Sequence, residues 1–370
     1  MRKNCCGYPV VTAFDAFGES DALADILRKV SGLESPRIQI VADLNVVQRT
    51  DGLGPRIGRY VQERGITLVG NPVVLPAGEK VKVDGVRGVQ RIATAMVDAR
   101  LSKNDLVLAI GGGTLLDVAG YVAAQVRGGV GIVRMPTTPA AMMDAAFSSY
   151  AALDMPMVKD ALRVPSTPTA VVVDPTFCAT VLDGVWRGGA SEAVRIAAAW
   201  DKSLFKKLEG LAAAYRNRDA DALAEVVSSV MAVRTSCGAT TVGDWSAMRL
   251  ESMSGYKLPH GYAMAMGVCI DAAYSVEKGY MKEGDAERIG GLLGEFGSLD
   301  GVAHSRHLLG KVSSLMRGLD AWNLANGSQE ITVFSGLVKN SVEKEPDRDA
   351  YTSALEKLTA NPAQDQDEDR

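Results

Sequence analysis

Histidine is scarce in this sequence, with three in 370 residues, and only His260 lies in a stretch that looks like a metal-site hairpin. Cysteine is scarce too. There are five, none in a Cys-x-x-Cys pair, and only Cys5 and Cys6 lie close together. An odd, dispersed set argues against a disulfide framework and thiol chemistry, and for reduced thiols in a cytoplasmic setting. No apolar run reaches the roughly 18–20 residues that span a bilayer, so no membrane partner is expected. The N-terminus MRKNCCGYPV has basic residues but no apolar core, so no signal peptide is expected. A formal net charge of −4 argues against a generic nucleic-acid surface. The charged clusters FKKLEG and VEKEPDRD carry no interleaved aromatics and read as solvated faces.

What is present points to two domains, since 370 residues exceed one hydrophobic core. In the first half, RIQIVADLNVV, ITLVGNPVVLPA, DLVLAIGGG, GVGIVRMPTT and TAVVVDP read as strands. Helical stretches such as VDGVRGVQRIATAMVDARL and TLLDVAGYVAAQVR lie between them. That alternation predicts a Rossmann-like α/β domain, a parallel sheet with helices on both faces. From about Trp186 the pattern is helical, as in SEAVRIAAAWDKSLFKKLEGLAAAYRN. The expected division is an α/β domain over residues 1–183, an all-helical domain over 184–360 and an acidic, disordered tail over 361–370.

The run Ala109-Ile110-Gly111-Gly112-Gly113 ends an apolar strand and opens a helix. Three glycines let the backbone approach a diphosphate, and the helix N-terminus adds partial positive charge. The pattern is not G-x-G-x-x-G, and a plain tight turn would use the same glycines. Asp117, one turn into the helix, suits either a helix N-terminal charge or a ligand contact. His304 and His307 in HSRH suit a solvated helix face, and the AMAMGV run suits helix packing. Tyr150 and Tyr262 suit either packing or hydrogen bonds to a ligand hydroxyl.

The segments GGGTLLDVAG, MPTTPAAMMDAA, VVVDPTF, SEAVR and GDWSAMRLESMSGYKLPHG, in that order, resemble the dehydroquinate synthase-like sugar phosphate cyclases. That superfamily includes the glycerol dehydrogenase-like and iron-dependent alcohol dehydrogenases. The resemblance spans residues 38 to 275 and implies an NAD-binding α/β domain, a helical domain and a divalent metal. It implies that Asp43 contacts the adenosine ribose and that Glu79 and Lys82 meet the nucleotide. Gly111, Gly112 and Gly113 would hold the diphosphate, with Asp117, Thr137 and Thr138 nearby. Asp144 and Lys159 would position substrate hydroxyls, and Arg195 with Lys159 would supply phosphate binding.

The implied metal ligands are Glu192, Asp244 and His260, the last two sixteen residues apart as in the family. Asp244 stands where the family has histidine. Two carboxylates and one imidazole suit zinc, cobalt, iron or manganese. Asp244 also suits a helix N-cap, and His260 an ordinary helix start after Pro259. Elsewhere the pattern is broken. Tyr150 replaces a lysine, Asp160 an asparagine, Cys237 an arginine, Thr241 an asparagine and Met248 a histidine. An acidic Asp160 would repel a phosphate, and Met248 cannot transfer protons. Three functions remain open. The first is a divergent cyclase converting a ketose or heptulosonate phosphate to a cyclic polyol ketone. The second is an NAD- and metal-dependent polyol dehydrogenase, and the third a non-catalytic NAD-binding homologue. A homodimer is expected because relatives are often dimers.

Overall fold

The structure is a computed structural model that describes residues 7–360. The acidic tail and the Cys5–Cys6 pair lie outside the described residues. The chain forms two compact units. The first runs to Trp186 and takes back Arg218–Gly238; the second holds Arg187–Asn217 and the chain from Ala239. The first break falls close to the expected one at Asp183, but the returning segment makes the first unit discontinuous in sequence.

The first unit is built on strands β1 (Val10–Thr12), β2 (Arg37–Asp43), β3 (Thr67–Leu68), β4 (Val73–Leu75), β5 (Leu106–Gly111), β6 (Gly131–Pro136), β7 (Tyr150–Met155), β8 (Val158–Pro165) and β9 (Ala170–Val173). Seven of them form one sheet in the order β1-β9-β6-β5-β2-β3, with β4 also paired to β2. Every pairing in it is parallel. Every residue of β5 and β9 is buried, which is why those strands read as unbroken apolar runs. Two expected strands are shorter than their sequences suggest. RIQIVADLNVV leaves the sheet at Asp43, whose side chain accepts the Asn45 N–H at 2.7 Å and starts a helix. ITLVGNPVVLPA breaks at Gly70, which has φ +66°, into β3 and β4. β7 and β8 form a separate antiparallel hairpin with an irregularity between Leu153 and Met155.

The sheet is flanked by α1 (Ala22–Ser31), α2 (Leu44–Arg49), α3 (Leu53–Glu63), α4 (Lys80–Val83), α5 (Gly85–Asp98), α6 (Gly113–Ala123) and α7 (Pro139–Met143). The chain continues through α8 (Asp183–Trp200) and α9 (Lys202–Arg216) to α10 (Ala220–Cys237), which belongs to the first unit. The second unit continues with α11 (Asp244–Met253), α12 (His260–Glu277), α13 (Glu283–Glu295), α14 (Val312–Asn326) and α15 (Arg348–Ala360). It is helical as expected, with one addition: an antiparallel hairpin of β10 (Ile331–Gly336) and β11 (Lys339–Glu343).

Candidate functional site

Chain order reverses direction in the sheet between β2 and β5. The crevice at the carboxyl ends of strands flanking such a point is where open α/β sheets bind ligands. Three adjacent strands end there with predicted residues: β2 with Asp43, β5 with Gly111 to Gly113, and β6 with Thr137 and Thr138. The turn after β5 has no room for side chains. A Cβ at Gly111 would overlap Leu115, and one at Gly112 or Gly113 would crowd Thr138 at 3.3 Å or Ala145 at 3.2 Å. Thr137 N–H donates to Gly111 O at 3.0 Å, tying the two loops together. The Thr137 hydroxyl is buried and has no hydrogen-bond partner among the described residues. Thr138 caps α7. A glycine cradle, an orphaned buried hydroxyl and an acidic residue on the neighbouring strand end fit a dinucleotide.

Beside the cradle the structure gathers Glu79, Lys82, Asp117 and Lys159. Lys82 Nζ lies 2.7 Å from Asp117 Oδ2 and 3.5 Å from Asp154 Oδ1, and also bonds Asp160. Burial opposes a charged ammonium, but these carboxylates outweigh it and hold its pKa well above the ordinary lysine value. Burial pushes Asp154 up to about 7, against the pull of Lys82. The negative charge of Asp160 is thus met by Lys82 and does not stand bare toward a phosphate. Lys159 Nζ bonds Glu79 Oε1 at 2.5 Å, and the Thr114 hydroxyl donates to Glu79 Oε2 at 2.6 Å. Burial would raise the Glu79 pKa, but Lys159 and Lys82 hold it well below the carboxylate range. Asp144 Oδ1 accepts from Arg234 Nε at 3.0 Å.

In the second unit, Glu192 on α8 and His260 at the start of α12 meet because glycines let those helices touch. A Cβ on Gly261 would overlap the Gly188 backbone, one turn before Glu192. His260 Nε2 lies 3.2 Å from Glu192 Oε1, and its Nδ1 lies 2.9 Å from Glu251 Oε1. Asp244 is the first residue of α11, with Gly243 at the cap position. Between the carboxylates sits Arg195. Its Nε and Nη2 donate to Glu192 Oε2 at 2.9 and 2.5 Å, and its Nη1 to Asp244 Oδ1 at 2.8 Å and Thr240 O at 2.6 Å. Burial would raise the Glu192 pKa, but Arg195 and His260 bring it down to about 2. Burial would lower that of His260; Glu251 and Glu192 outweigh it and raise it. No group of three His, Cys, Asp or Glu side chains among the described residues is arranged to hold a metal ion. The expected ligands Glu192, Asp244 and His260 do not form a three-donor site, because Arg195 holds two of them. Arg195, expected at a phosphate, has donors committed inside the protein.

The 3-dehydroquinate synthase N-terminal family model matches residues 72–187, and the 3-dehydroquinate synthase C-terminal model matches residues 189–316. The chain belongs to the dehydroquinate synthase-like sugar phosphate cyclase family. A 3-dehydroquinate synthase from Rhodopseudomonas palustris (strain TIE-1) is 25% identical over 367 residues, covering 89% of this chain and 90% of the relative. Two solved structures share the fold. One is the 2-epi-5-epi-valiolone synthase of Streptomyces hygroscopicus subsp. jinggangensis 5008 with NAD+ and Zn2+ bound, at TM-score 0.81 and 22% identity over 96% of this chain and 97% of that one. The other is a 2-deoxy-scyllo-inosose synthase complexed with carbaglucose-6-phosphate, NAD+ and Co2+, at TM-score 0.78 and 16% identity over 95% of this chain and 96% of that one.

Within this cyclase family frame, several residues escaped the sequence reading. Arg234 lies one turn before Cys237 on α10, so the basic group missing at 237 is present on the same helix face. Glu251, seven residues after Asp244, fell inside the hairpin but carried no motif. Asp154 and Thr114 had no signal beyond their types. His304 and His307 are exposed, as expected of a solvated face. No helix among the described residues is long and apolar enough to cross a membrane.

Proposed function

We propose that the chain is an NAD-binding lyase of the sugar phosphate cyclase type. It acts on a ketose or heptulosonate phosphate, eliminates the phosphate and yields a cyclic polyol ketone. The observation that carries this reading is the cradle at the ends of β2, β5 and β6, with its crowded glycines and the unpartnered Thr137 hydroxyl. Bound NAD supplies a reversible hydride acceptor. The chain's own residues supply the rest. Glu79 fixes Lys159 and, through Thr114, the first turn of α6. Lys82 keeps Asp117 and Asp160 in place. Arg234 spends Nε on Asp144, and its Nη groups have no hydrogen-bond partner among the described residues, leaving a fork for phosphate oxygens. His260 is held between Glu192 and Glu251 by both ring nitrogens, and its side chain is 42% exposed.

One observation favours a second reading, an NAD-dependent polyol dehydrogenase. Lys159 and Arg195, both expected at the phosphate, are bonded to carboxylates. Phosphate release and NADH formation, measured across a panel of ketose phosphates and polyols with added NAD+, separate the two. The cyclase releases inorganic phosphate without net NADH, and Arg234→Ala lowers that rate at least tenfold. Net NADH from a polyol, without phosphate release, shifts the assignment to a dehydrogenase. Retained NAD with neither activity overturns both.

A further inference from the structure

We infer that Arg195 occupies the cation position of the Glu192–Asp244–His260 cluster, and that a divalent ion gains these side chains as a three-donor set only when the guanidinium is removed. The inference holds whichever reaction the chain catalyses.

Metal ligation needs lone pairs aimed at one point, and here they are aimed elsewhere. Glu192 Oε2 accepts two N–H groups from Arg195, and Asp244 Oδ1 accepts a third. Thr240 O accepts from the Nη1 that reaches Asp244, so one planar fork stitches α8 to the segment leading into α11. The side chains of Arg195 and Glu192 are both 1% exposed. An arginine cannot give up its charge as a lysine can, so it leaves only by moving away. A divalent ion bound to the same two carboxylates would face that fixed charge at short range. Only the His260 side keeps the layout of a metal-bound histidine. Its Nδ1 is oriented by Glu251, while Nε2 and Glu192 Oε1, 3.2 Å apart, are spaced as neighbouring ligands of one ion would be. That leaves two donors where a protein-held zinc has at least three.

The test uses the full-length chain, stripped with chelator and titrated with Co2+, whose visible absorption reports coordination. Wild type is expected to bind weakly and without the absorption of a tetrahedral or five-coordinate site. Arg195→Ala is expected to bind Co2+ at least tenfold more tightly and to develop that absorption. Adding Asp244→Asn to Arg195→Ala is expected to abolish the gain. Should Arg195→Ala fail to fold, wild type still decides. One equivalent of tightly held metal in the purified protein, by elemental analysis, overturns the inference, as does an Arg195→Ala variant that binds Co2+ no better than wild type. Neither result depends on phosphate release, so failure here and failure of the cyclase assignment are separable.

Discussion

Asp271 shows how a single buried acid sets the stage for the second unit's cluster. It accepts the Gly243 N–H at 2.6 Å, Trp245 Nε1 at 3.2 Å and the Tyr351 hydroxyl at 2.9 Å. These bonds pin the residue that precedes Asp244 and so fix where α11 begins. Burial pushes the Asp271 pKa up to about 7, against the pull of those three donors. A carboxyl whose folded pKa lies above its unfolded value of about 3.8 costs stability when ionised. The cost is absent below about pH 3.8, grows as pH rises and is complete above about pH 7. Each tenfold difference in proton affinity between the folded and unfolded chain is worth about 1.4 kcal/mol. Asp271→Asn removes the ionisation. Denaturant unfolding of both proteins at several pH values should show wild type losing stability relative to the variant between about pH 4 and 7. A stability difference flat across that range would show that Asp271 is ionised at little cost. The Lys82 cluster shows the same limit on reading single residues. Asp160 alone looks hostile to a phosphate, and its neutralising partner lies 78 positions away in sequence. No local pattern could reveal that pairing.

At the scale of elements, close helix contact decides whether the cluster exists. α8 and α12 touch at Gly188 and Gly261, and α12 meets the start of α11 at Gly267 and Gly243. A Cβ at Gly243 would lie 2.9 Å from Val268 N, and its φ of +83° disfavours any side chain. Gly261→Ala sets two effects against each other. Alanine gains about 1 kcal/mol of helix propensity. Its methyl group would overlap the Gly188 backbone, which cannot turn aside as a flexible side chain could. Overpacking of this kind costs about 1–3 kcal/mol, and more where backbone must move, so net destabilisation is expected. A thermal unfolding scan should show a lower midpoint for Gly261→Ala, and an unchanged or raised midpoint would mean the helices can part without cost. The helices themselves were legible, because their periodicity is local. Which helix meets which at bare backbone was not, since a glycine inside a helix looks the same whether it faces solvent or another chain segment. The β10–β11 hairpin was hidden for a related reason. Its turn holds Val338 at φ +60°, a conformation a β-branched residue rarely adopts. What holds it is a distant hydrogen bond from Val338 N–H to Ala198 O at 2.8 Å.

At the scale of the whole molecule, the first unit is discontinuous. The sequence suggests a change from α/β to helical character from about Trp186. It gave no sign that α10, helical like its neighbours, packs with the α/β unit, because periodicity reports a helix but not its partner. α10 lies against α7 and the 3-10 turn Pro175–Thr180. It buries Leu223, Val226, Val227, Val230, Met231 and Val233. Arg218, just before it, donates to Val181 O and Asp183 Oδ1 and lies over the Trp186 ring at 4.6 Å. A fragment ending at Trp186 keeps the whole dinucleotide cradle yet loses this cover. Each large apolar side chain left unburied forfeits about 1.5–3 kcal/mol. The fragment lacks these six side chains, and the apolar surface they cover on α7 and the Pro175–Thr180 turn becomes exposed, a loss that is large against the ~5–15 kcal/mol that stabilises a typical domain. The fragment 1–186 should therefore fail to unfold cooperatively and should show no thermal protection by NAD+, whereas NAD+ should raise the midpoint of the full chain by mass action. A fragment that melted sharply and was stabilised by NAD+ as strongly as the full chain would show that α10 is an ornament on the α/β unit and not part of its core.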